Sequence, residues 1–246
     1  MKDALQATPR IGSRPSRIGI RTALAGLLLL ALSGLAPRTG LFPPGVALTV
    51  YVAGSVLLLV ALGAAGLGLL RSRGRAGTAS APATWLALVA GLAVTANNAV
   101  LLGQARGAPA IQDVSTDTRD PPAFGAAIEA AYPGGATATA QQQAYPDLQP
   151  VYLNSPASAV FAAARAVATE SGWQVVAADE VAGHLEATAT SGWLRLEADV
   201  VVRIQPGREL TRLDVRSRSR SAGGDRGVNA RRVRDFVQAV QERLAR

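Results

Sequence analysis

The sequence predicts an α+β membrane protein: three N-terminal transmembrane helices followed by an α-β-β-β-β-α domain, with an antiparallel sheet and two helices on one face. Three observations predict it. Residues 46–70 and 83–102 contain no charged side chain, and residues 18–36 contain only Arg21, near their start. The net charge of +8 belongs entirely to residues 1–104, where Lys2, Arg10, Arg14, Arg17, Arg21, Arg38, Arg71, Arg73 and Arg75 stand against Asp3 alone, while residues 105–246 are balanced. Two runs near the C-terminus alternate apolar and polar residues on either side of Pro206-Gly207, the pattern of a half-buried hairpin.

Composition excludes several classes. Of the 246 residues, 49% are hydrophobic and 17% charged, with a mean hydropathy of +0.20, which rules out an intrinsically disordered chain. Cysteine is absent, so disulfide scaffolds, zinc-thiolate centres and cysteine nucleophiles are excluded. A single histidine removes most imidazole-based metal and triad chemistry. Because the charge excess sits with the apolar runs, it points to membrane topology, and no nucleic-acid partner is expected.

Each element can be justified in order. Residues 1–17 form a basic tail. Residues 18–36, 46–70 and 83–102 each approach the ~20 residues that carry a helix across ~30 Å of hydrocarbon. The first has the basic flank of a signal peptide, but two more spans follow and its apolar run exceeds a usual signal core. Arginines crowd before the first span and in the loop carrying Arg71, Arg73 and Arg75, whereas the first loop has Arg38 alone. The positive-inside rule then keeps the N-terminus in the cytoplasm and sends everything after the third span to the other side. Ala64 and Gly68, and Ala87, Gly91 and Thr95, have the spacing of close helix contacts, and Asn97 and Asn98 are expected to bond a neighbouring helix or interfacial water.

Residues 104–150 read as an extended linker or wrapping segment, with a short helical candidate near 122–131. Residues 151–246 read as the extracytoplasmic domain. Ser155-Pro156 supplies a cap and a first-turn proline for an Ala-rich helix that runs to Glu170 and stops at Gly172, with Val160, Phe161, Ala164, Val167 and Ala168 on its apolar side. Strands are expected over 173–178, 184–190, 193–205 and 209–221. With Pro206-Gly207 at the centre of a type II turn, Val202 opposes Thr211, Val200 opposes Leu213 and Ala198 opposes Val215 on the apolar side. On the polar side Val201 opposes Arg212, Asp199 opposes Asp214, Glu197 opposes Arg216 and Arg195 opposes Arg218. A last helix, about 228–244, starts at Asp225 or Gly227 and places Val233, Phe236, Val237, Val240 and Leu244 on one stripe.

The polar side of the hairpin is the candidate site. Facing Asp199 and Asp214 would repel unless they share a proton or a cation, or unless arginines compensate. Arg216, Arg218 and Arg220 alternate along one strand, so they share a face, and with Arg212 they offer a row for phosphate or carboxylate groups. The ligand-binding set is therefore Arg212, Arg216, Arg218, Arg220, Asp199, Asp214 and Asp225. The acidic stretch Asp113, Ser115, Thr116, Asp117 and Asp120 lacks the pattern of a calcium loop and reads as a capped loop. His184 reads as a strand-edge residue, and Asn229 as a cap or hinge group. No catalytic residue and no cofactor can be named, and the sequence does not decide whether a metal binds.

The stretch Ile111-Gln-Asp-Val-Ser-Thr-Asp-Thr-Arg-Asp-Pro-Pro-Ala-Phe124 resembles the opening signature of the uncharacterised bacterial family called domain of unknown function 1499. Ala144-Tyr-Pro-Asp147, Gly172-Trp173, Asp214-Val-Arg-Ser-Arg-Ser-Arg220, Asp225, Gly227-Val-Asn-Ala-Arg231 and Phe236 extend the resemblance over about residues 110–246. Two places depart from it: Ala198 stands where the family usually has the first of two aspartates, and residues 222–227 replace a Gly-x-Ser-Asp-Leu-Gly segment. The resemblance implies a membrane-attached or exported α/β domain and brings no activity or catalytic residues with it. The combined expectation is a multi-pass protein of the bacterial inner membrane with a periplasmic domain. Its expected partners are membrane lipid, an anionic envelope ligand and a membrane-protein partner. The balance leans against an enzyme. The alternatives are a metal-dependent or carboxylate-based envelope hydrolase using Asp199, Asp214 and the 113–120 stretch, and a structural scaffold for another membrane protein.

Overall fold

The computed structural model describes residues 14–71, 82–125, 130–220 and 225–246, and the chain divides into two compact units at Gly103/Gln104. Most of the basic tail 1–17 and the arginines at 73 and 75 lie outside the described residues, as does the middle of the helical candidate near 122–131.

The first unit contains α1 (Arg14–Thr39), α2 (Pro44–Arg71) and α3 (Pro82–Ala105). All three are long and apolar enough to cross a membrane, over Arg21–Thr39, Gly45–Leu70 and Thr84–Gly103. Helix α1 continues past residue 36 through Pro37, and the Arg38 guanidinium donates back to the Gly34 carbonyl. Between α1 and α2 the close contacts use glycines that the four-residue spacing did not single out. A Cβ on Gly26 would stand 2.8 Å from Leu58 Cγ and 3.0 Å from the Gly54 carbonyl oxygen, and one on Gly54 would meet the Gly26 carbonyl at 3.0 Å. Gly91 makes the expected contact and the tightest one, where a Cβ would stand 2.6 Å from Leu62 Cβ, and Ala87 is buried, but Gly68 has no atom of the described residues within 4 Å of its Cβ position. Close approach of two backbones selects glycine there. Tyr51 on α2 donates to Asn98 Oδ1 at 2.9 Å and accepts from Asn97 Nδ2 at 2.8 Å, so both amides bond the neighbouring helix.

The second unit is built on a six-stranded antiparallel sheet: β1 (Asp113–Ser115), β2 (Val151–Leu153), β3 (Gln174–Asp179), β4 (His184–Thr190), β5 (Glu197–Pro206) and β6 (Thr211–Ser219). Four strands form the expected meander. The other two come from the segment before it: β1 pairs with the far half of β6 through Asp113–Arg218, and β2 with its near half through Val151–Leu213. Helix α4 (Gly135–Ala144) lies between them, where no helix was expected, whereas residues 122–125 and 130–131 are not helical. Helices α5 (Ala157–Glu170) and α6 (Val228–Leu244) complete the unit. The α5 cap differs from the expectation: Pro156 stands at the N-cap with no side-chain bond, and the Ser155 carbonyl instead accepts the Thr211 hydroxyl.

The hairpin register is corrected by four residues. Ala198 opposes Ser219, Asp199 opposes Arg218, Val201 opposes Arg216, Arg203 opposes Asp214 and Gln205 opposes Arg212. The connection is a wider loop than a two-residue turn: Pro206 still pairs with Thr211, and the Gly207 N–H donates to the Leu210 carbonyl at 3.0 Å. A Cβ on Gly207 would lie 2.5 Å from that carbonyl oxygen, so close approach requires the glycine. An even shift keeps every side chain on its expected face while changing every partner. The like-charge pair Asp199–Asp214 therefore does not exist; each aspartate opposes an arginine instead.

The apolar face carries Val200, Val202, Ile204, Leu213 and Val215, all buried beneath Val160, Phe161, Ala164 and Val167 of α5 and Val233, Phe236 and Val240 of α6. Trp173 stacks on Phe236 with ring centroids 5.0 Å apart. The opposite face is not open to solvent. Residues 113–125 and 130–132 form a strap that folds over it, leaving Glu186, Asp199, Asp214 and Arg216 at 0–1% exposure.

Candidate functional site

Beneath the strap the alternation of β4, β5 and β6 gathers charged side chains that would be costly to bury singly. Arg216 is the centre. Its Nε and Nη2 donate to the two oxygens of Asp113 at 2.9 and 2.8 Å, a bidentate pair. Nη1 donates to the Pro122 carbonyl at 3.0 Å and Nη2 also to the Ala130 carbonyl at 3.1 Å. The guanidinium lies 4.7 Å from the Phe124 ring centroid and 5.5 Å from that of Tyr132, so both rings offer it a π face. Burial, with the Asp113 charge, pushes the Tyr132 phenol up to about 12, which keeps it a donor; it donates to Gln141 Oε1 at 3.1 Å. Gln141 is itself buried and clasps β1, accepting the Ser115 N–H at 3.0 Å and donating to the Ser115 carbonyl at 2.6 Å.

The remaining row is spent in the same way. Arg212 bonds Asp117 and donates to Asp214 Oδ1 at 3.2 Å; its Nε is also 2.9 Å from Asp214 Oδ2, an ion pair without an aligned N–H. Arg203 reaches Asp214 at 2.9 Å, Asp120 Oδ2 at 2.8 Å and the Asp120 carbonyl at 2.7 Å. Arg220 donates to Asp199 at 2.6 Å and to Glu197 at 2.6 Å. Burial raises the Asp117 carboxyl, but the N–H groups of Asp120 and Arg119, with the Arg212 guanidinium, outweigh it and hold the group below its ordinary value. The 113–120 stretch is thus a capped, arginine-bound turn.

Asp225 stands apart from this face. Its carboxylate accepts the N–H groups of Gly227, at 3.0 Å, and Asn229, satisfying the start of α6. Asn229 is a buried bridge, accepting from the Ser217 hydroxyl and donating to the Gln112 carbonyl and Ser219. His184 does more than edge a strand: its Nε2 is 2.6 Å from Oε1 of the buried Glu186, which also accepts the Gly125 N–H at 2.6 Å.

Of the expected ligand set, Arg212, Arg216 and Arg220 are held by carboxylates of this same chain, and Asp199 and Asp214 are their anchors. Arg218 differs. Half-buried beside Asp113 and Asp199, it carries no ion pair among the described residues. Sequence reasoning passed over Arg203, Asp113 as the partner of Arg216, Glu186 and Gln141. Two of these had a signal: Arg203 interrupts a valine run two strand periods from Asp199, and Asp-Val-Ser at 113–115 alternates like a short strand. Among the described residues no group of three or more His, Asp or Glu side chains is gathered to hold a metal ion.

A family model described as "Protein of unknown function (DUF1499)" matches residues 113–240, more than half of the chain. It begins at β1 and ends within α6, so it covers the strap together with the sheet that the strap closes. No curated protein and no solved structure matches the chain.

Proposed function

The chain belongs to the DUF1499 family, and from that premise we propose that it is a membrane-anchored binding protein of the bacterial inner membrane, with a cytoplasmic N-terminus and a periplasmic domain that recognises an anionic envelope component. Three apolar helices and the arginine distribution support the topology. One observation carries the binding reading: among the described residues, Arg218 is the arginine of the row left without a carboxylate. Its neighbours Arg216 and Arg220 already neutralise Asp113 and Asp199, so the Arg218 charge is available to a ligand or to a protein partner. The full-length protein, purified in mild detergent, is tested by native mass spectrometry for retained mass. Arg218→Gln is expected to lose that mass without unfolding, and retention unchanged by the substitution removes Arg218 from the reading. An extracytoplasmic reporter fused after Arg246 tests the orientation; a silent fusion of the inserted protein refutes it.

A hydrolase is the second reading, and its support moves to new residues. Asp199 and Asp214 are both engaged by arginines of this same chain, so neither carboxylate is left over for a substrate. The pair His184–Glu186 has the geometry of a base and its orienting carboxylate. Hydrolysis of a phosphate or acyl ester that His184→Gln abolishes would establish this alternative over binding.

A further inference from the structure

On the other side of the sheet, donors are left over beside the start of α6. This helix has 17 residues, and the chain enters it through Arg226 and Gly227, both left-handed with φ of 53° and 78°. Tyr145 is 7% exposed, and its hydroxyl is buried with no hydrogen-bond partner among the described residues. Arg231, in the first turn of α6, makes no ion pair among the described residues. Both aim at one place. The Tyr145 hydroxyl lies 3.1 Å, and Arg231 Nη1 3.5 Å, from the point where a Cβ on residue 227 would stand, and Ala108 Cβ closes a third side at 3.5 Å. A Cβ would crowd the hydroxyl there, so glycine lets both donors close on the backbone at the positive end of a helix dipole.

We propose that Tyr145, Arg231 and the first turn of α6 form an anion site for a phosphate group, either free inorganic phosphate or the phosphate of a lipid headgroup. Among the described residues no acceptor meets the Tyr145 hydroxyl, and an oxyanion between the two donors would satisfy it. Asp225 already takes the N–H groups of Gly227 and Asn229, so the ligand is held by the hydroxyl, the guanidinium and the dipole rather than by those amides. Phosphate suits this better than carboxylate, because its oxygens point in several directions and meet donors that approach from different sides. Burial and the Asp225 charge push the Tyr145 phenol up, so it stays a proton donor at neutral pH. Arg234, stacked 5.2 Å from the Tyr145 ring centroid and paired with Asp147, fixes the ring in place. The site uses neither Arg218 nor the strap-covered face, so it stands or falls independently of the binding reading above.

The test is calorimetric titration of the full-length protein in dodecyl maltoside with inorganic phosphate and, separately, with dioctanoyl phosphatidylglycerol. Tyr145→Phe and Arg231→Gln are each expected to weaken binding at least tenfold while keeping the far-ultraviolet dichroism of the parent. Arg208→Gln, a charge removed from the exposed hairpin loop, is the control for nonspecific attraction. Binding of phosphate alone assigns a free anion, and binding of the lipid alone assigns a headgroup. Failure of both probes to bind, or binding that Tyr145→Phe and Arg231→Gln leave unchanged, overturns the proposal.

Discussion

On β6 alternate residues leave for opposite faces, and both sets end fully buried: Leu213 and Val215 on the helix side, Asp214 and Arg216 under the strap. On the helix side the driving force is transfer of apolar surface from water, about 25 cal/mol per Å², and any residue of similar shape serves. On the strap side burial removes hydration from full charges. It is tolerated because Asp113, two backbone carbonyls and two aromatic rings replace water around Arg216. The comparison teaches that equal burial conceals unequal tolerance. The apolar face loses stability in proportion to volume removed, whereas the charged face fails when one partner of a pair is removed.

Substitutions put that contrast to the test. The largest expected effect is Arg216→Met, which leaves Asp113 buried and unpaired and costs about 3–5 kcal/mol; adding Asp113→Leu should recover part of the loss, read as positive coupling in a thermal double-mutant cycle. If the two losses simply add, the pair is not the unit that holds the strap. Leu213→Ala, on the other face, is expected to cost about 3 kcal/mol by cavity formation, with the same loss at high and low salt. Acid separates the faces further. Asp117 and Asp147 have carboxyls held below their ordinary values, the first by N–H groups and Arg212 against an opposing burial effect, the second chiefly by Arg234. Their contribution is therefore present above the unfolded value of about 4 and lost as pH falls through the folded value. Melting temperature should drop in that window, and Asp117→Asn should flatten the drop while Val200→Ala leaves its slope unchanged. The smallest effect is expected at Arg218→Gln, within about 0.5 kcal/mol, because no ion-pair partner among the described residues is stranded.

The same contrast explains what could be read in the sequence. The apolar face was legible: period-two alternation in β5 and β6 and the stripe Val233, Phe236 and Val240 each report a single burying surface. The bounds of β4 and α6 fall where the pattern placed them. The charged face was not, because its partners lie far away in sequence. Asp113 meets Arg216 across 103 positions, and no local periodicity encodes that. The register was misjudged because Pro-Gly fits a two-residue turn, while the actual loop carries Gly207 through Leu210 and closes by the Gly207–Leu210 bond. Parity survived the shift, so the faces were right and the partners wrong. Arg212, Arg216 and Arg220 looked like a ligand row because the carboxylates that occupy them could not be placed opposite them.

The two-sided pairing along one edge of β6 also sets a timetable for folding. Residues 113–115 and 151–153 are synthesised first, yet the strand that both must join ends at Ser219. At about 5–20 residues per second, the leading segment waits on the order of 5–20 s for its template. During that interval Asp113 and Asp117 are hydrated carboxylates on an unpaired chain, which disfavours premature association with other chains. The acidic composition of the strap therefore acts twice, first as a solubilising leader and then, once β6 arrives, as the counter-charge that closes the domain.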